Sequence, residues 1–176
     1  MKNLLIILGL MLSPAAFAQQ TWEIKDNYEV NFSGTKAEGS FRGLEGKLIF
    51  DPNKLESAVF DVSVDVGTIS TGNKTKDKHA RGDSWFDADK FPKIYFKSEE
   101  FSKKSDQGYE VTGELNLKGI KKKVTIDFRF EANGDEALFT GNMVVNREEF
   151  GIEGNFFAFL VGDDFKVDLK VPVQAK

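Results

Sequence analysis

From Tyr28 onward, apolar and polar residues take turns along the chain. Tyr28, Val30 and Phe32 open the pattern, and Phe60, Val62, Val64 and Val66 alternate with Asp61, Ser63 and Asp65. Val124, Ile126, Phe128 and Phe130 alternate with Thr125, Asp127 and Arg129, and Phe165, Val167, Leu169, Val171 and Val173 close the chain in the same rhythm. A period of two puts one face of a strand in an apolar interior and the other in water.

Between these runs lie turn signals. Asp51-Pro52-Asn53, Asp106-Gln107-Gly108, Gly119-Ile120 and Asn133-Gly134 each mark a reversal, and Asn-Gly is the strongest because both residues tolerate positive φ. The strands so delimited include Ala58–Val66, Lys93–Ser98, a run from Tyr109 to Leu117, Val124–Ala132, Ala137–Val145 and Asp164–Val173. Gly39, Gly43 and Gly46 interrupt an otherwise strand-like segment, which predicts bending, bulges or close backbone approach. Residues 67–92 break the alternation. Asn73 or Thr71 is placed to cap a short helix over roughly Lys74–Arg81, Asp83 or Ser84 a further turn through Trp85 and Phe86, and Pro92 ends the excursion. The prediction is an all-β fold of roughly eight antiparallel strands closed into a barrel, with a helical excursion at about 72–88. Eight strands enclose either packed side chains or one small ligand.

The first residues stand apart. Lys2, an apolar run Leu4–Leu12 and Ala16-Phe17-Ala18 have the form of a secretory signal peptide cleaved before Gln19. The expectation is residues 1–18 as leader, 19–176 as a single domain, and a periplasmic or secreted location. No apolar stretch reaches the ~20 residues of a membrane span.

Composition then narrows the chemistry. The chain has 17 Phe, one His and no Cys, at a net charge of −4. The acidic balance argues against nucleic acid as a partner, and the lack of Cys leaves stability to packing. Zinc chemistry lacks ligands. Asp83, Asp87 and Asp89 lack the Gly and terminal Glu of a calcium loop, so no metal site is expected. His79, in Lys76-Asp77-Lys78-His79-Ala80-Arg81, is the single imidazole. A catalytic role needs a carboxylate behind it and a nucleophile near it, and neither a G-x-S-x-G motif nor a Cys supplies one. Lys121-Lys122-Lys123 reads as a solubilising turn or as a contact for anionic lipid headgroups. The consecutive apolar run Asn155–Val161, between Gly154 and Gly162, reads equally as a buried strand or as a lip over a ligand portal.

Three segments carry a resemblance. Asp65–Asn73, then Asp77-Lys78-His79-Ala80-Arg81, then Trp85-Phe86-Asp87-Ala88-Asp89-Lys90-Phe91-Pro92-Lys93-Ile94-Tyr95-Phe96 closely resemble the YceI-like family, and the likeness continues through Val111–Gly119 and Asn146–Gly151. The resemblance implies an exported lipocalin-like barrel around an elongated apolar cavity that takes polyisoprenoids or other long amphiphiles. Many relatives carry a His early in the first strand and another soon after. Asn27 and the stretch Ser33–Lys36 offer none here, so the exact ligand is not carried over.

Pattern and resemblance converge on a periplasmic binding or carrier protein, not an enzyme, with a polyisoprenoid, isoprenoid quinone or fatty-acid-like ligand inside the barrel. The expected wall is Phe32, Phe41, Phe60, Phe96, Phe128, Phe130 and Phe139, with Trp85 and Phe86 near one end, and Asp77, His79 and Arg81 either form a polar mouth or hold the helix to the barrel. No cofactor is called for. The partner is a long-chain isoprenoid or acyl lipid; transient membrane contact and a dimer are both compatible with the surface. The rival readings are an enzyme acting on a hydrophobic substrate in the same cavity, and a structural module whose barrel is filled by its own side chains. The same alternation serves a hollow and a filled barrel, so the sequence leaves that choice open.

Overall fold

The computed structural model describes residues 20–154 and 160–176. The described residues form nine strands and one α-helix: β1 (Thr21–Ile24), β2 (Glu29–Gly34), β3 (Ala37–Ile49), β4 (Val59–Ser70), α1 (Lys74–Arg81), β5 (Lys93–Lys103), β6 (Gly108–Leu117), β7 (Ile120–Asn133), β8 (Glu136–Asn146) and β9 (Asp164–Ala175). All pairings are antiparallel. The order runs β3-β2-β9-β8-β7-β6-β5-β4 and closes by pairing β4 back onto β3.

Nine strands make eight staves. β1 and β2 each lie between β3 and β9, β1 against Leu48 and Val173–Ala175, β2 against Ala37–Phe41 and Lys166–Lys170. They are one stave broken at residues 25–28. Tyr28, the last residue of the break, holds it to β3: its phenol oxygen accepts the Leu44 N–H at 3.0 Å, and its carbonyl accepts from the Arg42 guanidinium at 3.0 Å. The eight-stranded antiparallel barrel expected from the alternation is therefore the fold, and its first stave is in two pieces.

Closure is made where the glycines cluster. Along β3–β4 the register slips twice, between the pairs Ser40–Ser70 and Arg42–Asp65 and again before Glu45–Ser63. The first slip inserts extra residues on β4. There Asp65 Oδ1 accepts the Gly67 N–H at 2.7 Å, and Thr68 Oγ1 accepts the Arg42 N–H at 2.7 Å, so side chains replace the missing ladder bonds. The second slip falls at Gly43, whose φ is +71°. The bulges reset the phase of both strands, so Val64 and Ile69, an odd number of residues apart, both turn inward. At Gly46 the strands approach so closely that a Cβ would lie 2.2 Å from the Asp61 carbonyl oxygen.

Turn chemistry follows the same logic with two corrections, the first being that Ile120 opens β7 and the reversal before it is Lys118-Gly119. Two-residue hairpins join β2–β3 at Thr35-Lys36, β6–β7 at Lys118-Gly119 and β7–β8 at Gly134-Asp135. Asn133 is the last residue of β7, not a turn residue, and Gly134 takes the positive φ (+62°). α1 begins where expected: the Asn73 side chain accepts from the Thr75 and Lys76 N–H groups, filling two of the orphan donors of the first turn.

Gly46→Ala is expected to cost about 2–4 kcal/mol, since both a backbone clash and a strained φ follow. Gly134→Ala, with nothing within 4 Å of the added methyl, is expected to cost about 1 kcal/mol. Urea denaturation of the two variants checks this; equal losses would mean that the β3–β4 seam is not the tight point of the barrel.

Candidate functional site: an apolar cavity with a polar mouth

The interior is divided by the size of the inward side chains. At the end formed by β1, the 50–58 connection and the β7–β8 hairpin, rings fill the barrel. Phe50, fully buried, touches Tyr109, Phe128, Phe130 and Phe139 with ring centroids 4.9–5.6 Å apart, mostly edge to face. Trp22 packs on Phe130 at 5.5 Å and anchors its indole N–H to the Phe50 carbonyl at 2.9 Å. Edge-to-face pairing suits the ring quadrupoles, and the group seals this end.

Toward the other end Val, Ile, Leu, Met and Gly share the wall with Phe32, Phe41, Phe96 and Phe165, and the walls no longer meet. A cavity of about 380 Å³ runs from Phe60, Phe128 and Phe139 up to α1. That volume falls within the range of small-ligand sites. The interior is thus neither hollow throughout nor filled throughout. Gly113 helps to shape it: a Cβ there would lie 2.7 Å from the Phe96 ring, so glycine leaves Phe96 room to lie flat on β6.

Of the residues expected to form the wall, Phe32, Phe41, Phe60, Phe96, Phe128 and Phe139 line the cavity, and Trp85 and Phe86 border it beneath α1, Phe86 edge-on to Phe41 at 5.6 Å. Phe130 faces inward but does not line it. It belongs to the sealed end, between Trp22, Phe50 and Phe139. His79 stands at the mouth with its side chain exposed. Asp77 and Arg81, expected beside it, do not line the cavity. Both Asp77 contacts come from Thr71, whose N–H and hydroxyl each donate to Oδ1 at 2.7 Å, while the Arg81 guanidinium reaches back 3.4 Å to the Gly67 carbonyl. These two side chains tie α1 to β4. The Asp77 carboxylate therefore serves the helix tether rather than His79.

The Thr71 hydroxyl, followed by its N–H, holds the Asp77 carboxyl below the ordinary carboxylate range; desolvation works against them, and the Arg81 charge adds a lesser lowering. A depressed carboxyl stabilises the fold at neutral pH and loses that contribution as pH falls through its folded pKa.

Arg147 is the residue that the sequence reading missed. It is 5 % exposed and lines the cavity on the side of the β8–β9 connection. Its Nε donates to the Gly162 carbonyl at 2.9 Å, Nη1 to those of Ile152 (2.6 Å) and Glu153 (2.9 Å), and Nη2 to the Asp163 carboxylate at 2.6 Å. Its guanidinium also lies 5.9 Å from the centre of the Trp85 ring. One rigid fork thus gathers both flanks of the connection and presses Trp85 toward the cavity. The signal available beforehand was only its place in Asn146–Gly151. Lys118 does a similar job from the β6–β7 turn, donating to the carbonyls of Asp83 and Gly151 at 2.9 and 3.1 Å. Within the run proposed as a buried strand or lip, residues 155–159 lie outside the described residues; Leu160 is exposed and Val161 lines the cavity. Lys121, Lys122 and Lys123 each pair with a carboxylate, Glu114, Glu149 and Glu99, so the cluster is close to neutral as a surface. Among the described residues no group of three or more His, Asp or Glu is placed to hold a metal, and no helix is long and apolar enough to cross a membrane.

The YceI-like domain model matches residues 22–173, which is nearly the whole barrel. The chain belongs to the YceI-like family. A UPF0312 protein of Yersinia pestis (strain Pestoides F) is 32% identical over 120 residues, covering 65% of this chain and 62% of that protein, so the chain matches just under two thirds of the length of such relatives. A UPF0312 protein of Vibrio cholerae is 28% identical over 155 residues, 84% of this chain and 79% of its own. Among solved structures, Burkholderia cenocepacia BcnA superposes with a TM-score of 0.81 at 24% identity, over 85% of this chain and 99% of that one. A polyisoprenoid binding domain from Saccharophagus degradans, described as implicated in plant cell wall breakdown, superposes at 0.65 with 12% identity, over 90% and 99%. At these identities the superpositions establish the fold, a YceI-like barrel.

Replacing Thr71 with Val should move the Asp77 pKa upward toward the ordinary carboxylate value and flatten the loss of stability on acidification. A carboxyl-detected NMR titration of both proteins measures this; an unmoved Asp77 would mean that another group holds it.

Proposed function

We propose that the protein is an exported, non-catalytic carrier that holds the tail of a long apolar or amphiphilic lipid inside the barrel. The observation that carries the reading is the cavity itself: about 380 Å³ walled by Phe, Val, Ile, Leu and Met, continuous from the aromatic floor to a mouth at α1. Burial of a hydrocarbon tail against such a wall supplies roughly 25 cal/mol per Å² before ordering costs are subtracted. The polyisoprenoid binding domain of S. degradans shares this architecture, which supports a prenyl tail; an acyl tail fits the same chemistry. Phe32, Phe41, Phe60, Phe96, Phe128 and Phe139 form the tail contacts in this reading, with Trp85 and Phe86 beside the mouth. The N-terminal pattern, Lys2, the apolar run and Ala16-Phe17-Ala18, supports secretion to the periplasm or beyond.

Native mass spectrometry of the purified protein, incubated with geranylgeraniol or palmitamide, is expected to show a one-to-one complex, and the lipid should raise the unfolding temperature in proportion to the logarithm of its concentration. Leu169→Trp, which places an indole opposite Gly141 inside the cavity, should keep the fold and lose lipid uptake by about tenfold or more. Wild-type protein that takes up neither of these lipids nor their anionic counterparts, palmitate and geranylgeranyl phosphate, would refute the carrier reading.

Expression in a Gram-negative host, followed by N-terminal sequencing of the periplasmic fraction, is expected to give a chain beginning at Gln19. Full-length protein retained in the cytoplasm would overturn the export assignment.

A further inference from the structure

The charge on the cavity wall has a single sign. Lys36, Lys76, His79 and Arg147 line it, and no Asp or Glu does among the described residues. Acids outnumber bases in the chain, 28 Asp and Glu against 24 Lys and Arg, so composition does not account for the bias. Arg147 is already committed: its donors go to backbone carbonyls and Asp163. Lys36, Lys76 and His79 are not. They are exposed at the mouth, and among the described residues no carboxylate pairs with either lysine. Asp77, the acid on α1 within one residue of Lys76, is turned onto Thr71.

Lys36 is also held in an unusual way. It occupies a left-handed conformation (φ +57°) in the two-residue β2–β3 hairpin, a position that Gly or Asn fills at less cost. Backbone strain at a residue that borders a cavity points to a use for its side chain. An apolar tail directed at the aromatic floor leaves its head between Lys36 on one rim and Lys76 and His79 on α1. A neutral head gains little there, whereas an anion gains charge-assisted hydrogen bonds from ammonium groups that have no carboxylate partner among the described residues.

We infer that the mouth selects single-tailed amphiphiles with an anionic head, a carboxylate or a phosphate ester, through Lys36 and Lys76 with His79 beside them. This rests on the carrier reading, and it adds the class of head to the class of tail.

The test is a pair of head-matched affinity comparisons on the mature protein, below the micelle-forming concentration. Palmitate is compared with palmitamide, and geranylgeranyl phosphate with geranylgeraniol. At low salt the anionic member of at least one pair is expected to bind about tenfold more tightly, with the advantage shrinking at high salt. The pair that discriminates tells carboxylate from phosphate. In the double variant Lys36→Met, Lys76→Met, which keeps the apolar stems, the advantage should fall to within about twofold, while the affinity for palmitamide and geranylgeraniol and the thermal unfolding stay as in wild type. Equal affinity within both wild-type pairs, or a preference that survives in the double variant, overturns the inference and leaves the carrier reading standing. Failure of every one of the four compounds to bind overturns both.

Discussion

Everything inside this barrel depends on the closure of the sheet between β3 and β4. An eight-stave barrel has no free edge only if its first and last neighbours find each other, and here they meet through two bulges and a glycine set so close that no other residue fits without moving the Asp61 carbonyl. The bulges also rotate the inward face of both strands. Val64 contributes to the cavity wall from one side of the slip and Ile69 from the other, so the geometry that closes the sheet also decides which side chains face the interior. The residues that replace the lost ladder bonds, Asp65 and Thr68, are polar residues in the middle of an otherwise regular strand, which is what a bulge with side-chain partners requires.

Closure alone does not decide between a packed core and a container. That is set by where the large rings fall. Phe50, Phe60, Tyr109, Phe128, Phe130 and Phe139 come together from five different parts of the chain at one end, and their mutual edge-to-face and tilted ring contacts make that end solid. The solid end stabilises the barrel, and the other end can then remain open without collapsing onto itself. At the open end, order comes from polar ties instead: Asn73 capping α1, Thr71 holding Asp77, Arg147 gathering the β8–β9 connection and Lys118 joining two loops. The rim is thus assembled by hydrogen bonds and the floor by dispersion and burial. That division suits a site whose floor must stay dry and whose rim meets water and a polar head.

Much of this was legible in one dimension. The inward sets of β7, β8 and β9 are the apolar positions of the alternation, residue for residue, because a strand offers only two faces and burial selects one. The helix and its Asn73 cap follow from the chemistry of helix ends. Phe130 was assigned to the cavity wall and lies in the aromatic seal, because alternation specifies which face a side chain is on and not how far along the barrel axis its neighbours close over it. Asp77 and Arg81 are open in the sequence to two roles, mouth or tie between helix and barrel, and the choice is made by Thr71 and the Gly67 carbonyl, which sit where only the folded β4–α1 corner puts them. Arg147 gave no periodic signal: its four hydrogen bonds go to three backbone carbonyls and an aspartate on the far side of the β8–β9 connection, and no spacing in the chain announces such a set.

The sequence by itself therefore determined the strands, their inward faces, the helix and the apolar character of whatever they enclose, because each of these is a local choice between water and interior. Only the tertiary structure decided that the interior is solid at one end and open at the other, and that cations rather than acids border the opening. Both depend on which side chains share a level of the barrel across staves far apart in the chain, and that is fixed by the bulges and registers of closure rather than by any local pattern.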